Sequence, residues 1–206
     1  DDYEEVVFEP AQRASMMEAR EVDLFEFRPS GVLSEAEIGE DGIIRNTVLI
    51  TATSSNGGTG GREYSEQALK QIAQLSEGLP AYANHVKDKA EAFKPRDVKD
   101  IIGRHKNIRF DAAKKRVMSD LHVLESARPW VLPLAREMGD VIGNSVVSRA
   151  VLRNDGLKEI IESIVAVRSG DLVSDPATTR GLFEHREHGG RPPSVPSQEG
   201  EIMNTT

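Results

Sequence analysis

The order of elements along this chain predicts a mainly β fold with two flanking helices (α+β), its antiparallel sheet closing on itself as a barrel. Two observations predict it. β-Branched and alternating apolar stretches dominate the middle of the chain, and helical spacing is confined to two short segments. Successive strand-like stretches are joined by polar turn residues. The regular strand–helix alternation of a parallel doubly wound sheet is missing.

The first element, Ile43 to Thr53, is rich in β-branched residues and reads as a strand. A glycine-rich loop, Ser54 to Gly61, comes next. It lacks the Gly-Lys-Ser/Thr ending of a phosphate-binding loop, which sets that reading aside. Ser65 is an N-cap, and Ala68, Leu69, Ile72 and Leu75 recur at helical spacing until Gly78. Leu79 to His85 reads as a short strand, and the charged run Lys87 to Asp97 as a loop. Val98 to Phe110 and Arg116 to Leu124 bracket a polar turn and form a hairpin. Ser126-Ala127-Arg128-Pro129 opens a second helix with proline in its first turn, and Pro133 either kinks that helix or marks its true start. Val141 to Leu152 is a strand. Arg153-Asn154-Asp155-Gly156 turns the chain, and Leu157 to Val173 returns as a strand pair or one long bent strand.

Composition bounds the rest. The chain has 206 residues, 38% of them apolar, and a net charge of −8. The first forty residues carry many acids and few bases, and after Glu184 the chain reads His-Arg-Glu-His-Gly-Gly-Arg-Pro-Pro, then Ser, Pro, Gln and Gly. Neither end has the apolar surface to offset its ordering entropy. The expected division is an acidic extension over 1–40, a folded domain over 41–184 and a tail over 185–206. A net negative charge argues against a general nucleic-acid binder. The absence of cysteine excludes disulfides, thiolate metal sites and a cysteine nucleophile. No apolar run approaches the roughly 20 residues of a membrane helix. A chain that opens on Asp rather than Met reads as a fragment of a longer product.

Two polar islands in apolar surroundings carry the chemistry: Tyr82-Ala83-Asn84-His85-Val86 and Ile142-Gly143-Asn144-Ser145-Val146. Brought together, His85 can accept the Ser145 proton and make the hydroxyl a nucleophile. Ser148 competes for that role, but odd spacing from Ser145 puts it on the other face of a regular strand. A third group must hold the imidazole tautomer. The candidates are Asp171, Glu162, Asp175, His105 and His122. Asp171 interrupts two apolar stretches, and Glu162 sits within Ile160 to Val165, where an unpaired carboxylate is costly. His105 and His122 lie on opposite hairpin arms and could face each other, but no further ligand is spaced to complete a metal site. His185 and His188 lie in the tail and read as solvated. No cofactor is implied.

An ordered series of segments resembles the prohead maturation proteases of tailed bacteriophages. It comprises Val48 to Ala52, the Asn56-Gly57 loop, Tyr64-Ser65, Gly78 to Tyr82 leading to Asn84-His85, Ile102-Gly103-Arg104 and Asp120-Leu121-His122. It continues with Pro129-Trp130, Ile142 to Ser145, Glu162 to Val165 and Asp171 to Pro176. The series spans roughly Ile43 to Glu184. That family is distantly similar to herpesvirus assemblins, serine proteases on a closed β-barrel. The resemblance implies a serine endopeptidase with His85 as base, Ser145 as nucleophile and Asp171 as third member, with Glu162 as the alternative. It implies oxyanion support from backbone amides and, by a loose positional match, from Arg180. It also implies cleavage of scaffold protein, major capsid protein and itself, within the procapsid assembled in the bacterial cytoplasm, with homodimerisation possible. The alternative reading is a non-catalytic scaffold-associated or capsid module on the same fold.

Overall fold

The computed structural model describes residues 19–24, 38–55, 61–86 and 89–174. Its strands are β1 (Arg20–Leu24), β2 (Ile43–Thr51), β3 (Thr53–Ser54), β4 (Arg62–Tyr64), β5 (Pro80–Tyr82), β6 (Ile101–Asp111), β7 (Arg116–Val123), β8 (Ile142–Asn154) and β9 (Glu159–Ser174). Two helices, α1 (Glu66–Leu75) and α2 (Arg128–Glu137), interrupt them. Among the described residues the fold is mainly β with two α-helices, as the sequence predicts.

Among the described residues the expected closed, assemblin-like barrel is not found. Among the described residues the strands make two open sheets, one in the order β1-β8-β9-β4-β3 and one in the order β2-β7-β6-β5. Nor is the pairing wholly antiparallel, because β4 runs parallel to β9. Closure stops short for a local reason. After the three residues of β5, the chain makes a single parallel bridge from Ala83 to Leu172 of β9, backed by a 2.8 Å bond from Asn84 N to Leu172 O. Asn84 then adopts φ +62°, in the left-handed region, and the ladder cannot continue. On the other side β2 and β8 meet through a side chain, Asn144 Nδ2 donating to Val48 O at 3.0 Å.

The sheets pack face to face around two apolar clusters, each plugged by one helix. Leu49, Ile50, Val117, Val146, Ala150, Ile161 and Ile164 surround Ala68, Leu69 and Ile72 of α1. Ile44, Ala81, Ile102, Leu121, Ile142 and Leu172 surround Val131, Leu132 and Ala135 of α2. Burying each Leu, Ile or Val stabilises the fold by about 1.5–3 kcal/mol. Helix α1 begins where expected: Ser65 accepts from Ala68 N at 3.1 Å and donates to Glu162 O at 2.8 Å, tying the cap to β9. Helix α2 carries Pro129 in its first turn and Pro133 in its interior. The return arm after Gly156 is one strand, β9, sixteen residues long.

The sheet also takes in part of the segment that composition assigns to an acidic extension. β1 pairs with β8 antiparallel, Val22 packs against the α1 cluster and Leu24 is buried in it, while Glu21 and Asp23 reach Arg149. Two alternating apolar residues suffice for an edge strand, and forty-residue composition averages them away. The rest of that segment lies outside the described residues apart from Ala19 and its last three positions, as do Asp175, Arg180, His185 and His188. No helix among the described residues is long and apolar enough to cross a membrane.

Candidate active site

The long β8–β9 ladder sets the first two positions. Its register makes Ser145 and Asp171 direct cross-strand partners, so their side chains leave the same face of the sheet. The neighbouring positions Val146 and Ala150 point into the α1 cluster on the other face. Ser148, between them in the alternation, shares that face, and its hydroxyl meets no partner among the described residues. It is on the wrong side of the strand to address His85, as its odd spacing from Ser145 predicts.

His85 arrives from the opposite sheet. The bridge at Ala83 and the left-handed turn at Asn84 carry the chain off β5 and over the β8–β9 face. There the imidazole spans the cross-strand pair. His85 Nε2 lies 2.7 Å from Ser145 Oγ, and His85 Nδ1 lies 2.7 Å from Asp171 Oδ2. A carboxylate only accepts, so Nδ1–H donates to Asp171 and Nε2 is left to accept the Ser145 hydroxyl proton. The cluster is secluded: the His85 side chain is 5% exposed, and Ser145 and Asp171 are fully buried.

A fourth residue completes the cluster, and sequence reading missed it. Arg96 Nη1 donates to the same Asp171 Oδ2 at 2.7 Å, and Arg96 Nη2 donates to Asn84 O at 2.7 Å. Its guanidinium lies 3.9 Å from the centre of the Tyr82 ring. The sequence shows Arg96 only as one charge in a charged loop. The available signal was energetic: a carboxylate buried as deeply as Asp171 calls for a cationic partner.

The other candidates for the third position stand elsewhere. Glu162 also lies on β9, but its side chain is 40% exposed and accepts from Arg153 Nε at 2.6 Å. His105 is fully buried behind the ladder, its Nδ1 2.9 Å from Ser119 Oγ and its Nε2 2.9 Å from Gly170 O. Burial pushes the pKa of its imidazole down to about 4, against the opposing pulls of Gly170 O and Asp171. Neutral at ordinary pH, it donates from Nε2 and accepts at Nδ1. His122 does not face it, although the sequence allowed this. The hairpin register pairs His105 with Leu121 and His122 with Arg104, so the two rings alternate across the strands. Among the described residues no three His, Asp or Glu side chains gather to hold a metal ion.

A serine hydroxyl bonded to an imidazole whose other nitrogen is bonded to a carboxylate can act as an activated nucleophile toward a carbonyl carbon. No protein-family description and no curated protein matches the chain. Among solved structures, it is similar to the bacteriophage T4 capsid assembly protease, gp21. The TM-score is 0.45 and the identity 13%, over 80% of this chain and 99% of that one.

Proposed function

We propose that this chain is a serine endopeptidase of tailed-bacteriophage head maturation, with Ser145, His85 and Asp171 as its triad. The single observation that carries the chemistry is the imidazole bridging Ser145 Oγ and Asp171 Oδ2, at 2.7 Å on each side. As Ser145 Oγ attacks the scissile carbonyl carbon, its proton passes to His85 Nε2. Asp171 accepts from Nδ1–H and stabilises the imidazolium. His85 then returns the proton to the leaving amine, the peptide bond breaks, and an acyl-enzyme remains on Ser145. Water, deprotonated by His85, hydrolyses it. Backbone amides would hold the oxyanion. Arg180, outside the described residues, is proposed for oxyanion support on its sequence position alone.

The setting rests on the ordered resemblance to prohead proteases. The substrates we propose are scaffold protein, the capsid protein and the chain itself, within the procapsid. Coexpression with scaffold and capsid protein tests this reading. Normal cleavage with wild type and loss of it with Ser145→Ala is the expected result. Unchanged cleavage by Ser145→Ala would overturn it.

One observation favours the alternative, a non-catalytic capsid module on the same fold: Ser145 is 0% exposed. Attack on a polypeptide needs a path to that hydroxyl. A protein that shows no cleavage and no reaction with a serine-directed reagent, in any assembly state, belongs to that second reading.

A further inference from the structure

Among the described residues Arg96 is the buried cation at the cluster, and its contacts are not those of a simple counter-ion. Its side chain is 5% exposed. One arm of the guanidinium binds the Asp171 oxygen that accepts from His85. The other binds the carbonyl of Asn84, the residue immediately before His85. The same cation therefore touches the acceptor of the His85–Asp171 bond and the peptide that leads into His85. The Tyr82 ring under the guanidinium fixes its plane. Asn84 N is held by Leu172 O, next to Asp171 in the chain, so the left-handed turn at Asn84 is clamped at both its N–H and its carbonyl.

Resting on the triad reading above, we infer that Arg96 is a positioning residue, a planar clamp that fixes Asp171 Oδ2 and the His85 backbone in one geometry. The chemistry requires a fork. Asp171 Oδ1 meets no partner among the described residues, so Oδ2 alone orients the carboxylate. Without Arg96 that oxygen keeps one donor, His85 Nδ1, in place of two, and the Asn84 carbonyl loses the contact that holds the turn. Lysine supplies the charge but cannot reach both acceptors with parallel donors. Arg96 touches no reacting atom. It acts through Asp171 and the backbone.

The test compares wild type, Arg96→Gln and Arg96→Lys in the full chain. Three readouts are taken: the rate at which a fluorophosphonate modifies Ser145, the downfield proton resonance of His85 Nδ1–H, and the thermal midpoint. Arg96→Gln should stay folded, modify Ser145 about 10–100-fold more slowly, and lose or shift the Nδ1–H resonance. Arg96→Lys should fall between the two. Should Arg96→Gln fail to fold, Arg96→Lys alone decides: a slowed rate with a shifted resonance supports the clamp. Wild-type rate and resonance in whichever variant folds would overturn it. If wild type itself is not modified at Ser145, the protease reading has failed. The resonance still reports whether Arg96 positions the His85–Asp171 bond.

Discussion

Asp171 stands between two donors on one oxygen, His85 Nδ1 and Arg96 Nη1, each at 2.7 Å. Asp171→Asn keeps the shape but offers an N–H where an acceptor is needed, which selects the wrong imidazole tautomer. On the proposed reading its cleavage rate should fall on the order of 10⁴-fold with little change in fold, read by steady-state kinetics. A loss under about tenfold would remove Asp171 from the proposed triad. His105 behaves oppositely. Buried neutral, it takes up a proton near pH 4, whereas in the unfolded chain it does so near 6.5. The unfolded state thus binds more protons between those values. The stability contributed by the neutral ring is complete above 6.5 and is lost as pH falls toward 4, by up to about 3 kcal/mol. Urea unfolding across this range should show that slope in wild type and a flatter one in His105→Gln. Equal slopes would contradict it. Gly170 belongs to the same site: a Cβ there would come within 2.8 Å of His105 Nε2, so Gly170→Ala must displace the ring or the ladder. His85 and Ser145 were legible as polar islands in apolar runs, and Asp171 through the family resemblance. Arg96 was not legible, because a charged loop residue says nothing of what it will fold against.

The elements explain why those residues meet. A one-residue slip of β8 against β9 would send Ser145 and Asp171 to different faces, so the long ladder and its turn at Arg153–Gly156 fix the site. That turn, the β6–β7 hairpin and the Ser65 cap were readable from local chemistry. Ser65→Ala should cost about 1 kcal/mol or somewhat more, since the hydroxyl also holds Glu162 O. Asp120 has a comparable duty that the sequence did not reveal. It accepts from Asn46 N at 2.9 Å and Asn107 Nδ2 at 2.9 Å, the two left-handed residues at the irregularities of β2 and β6. Burial opposes its charge, but hydrogen bonds from Asn107 and Asn46 and the nearby Arg109 outweigh it and hold the carboxyl below its ordinary range. Asp120→Ala should lower the unfolding free energy by about 1–2 kcal/mol in a urea titration. An unchanged midpoint would show that the irregularities hold themselves.

At the scale of the molecule, the sequence predicted a closed barrel and the described residues form two open sheets sharing two clusters. Periodicity reveals strands but not whether the last ladder closes. Here the β5–β9 side ends at the turn at Asn84 and β2 meets β8 through the Asn144 side chain, and the turn at Asn84 carries His85 over to the other sheet. β1 and the parallel β4–β9 pair were equally hidden, since both depend on residues far away in sequence. On the proposed reading, this architecture exists to make Ser145 a nucleophile. Reaction with a fluorophosphonate, mapped by mass spectrometry, tests that most directly. The expected result is a single adduct on Ser145 that disappears in His85→Ala. An adduct on Ser148, or labelling of Ser145 that persists undiminished without His85, would contradict it.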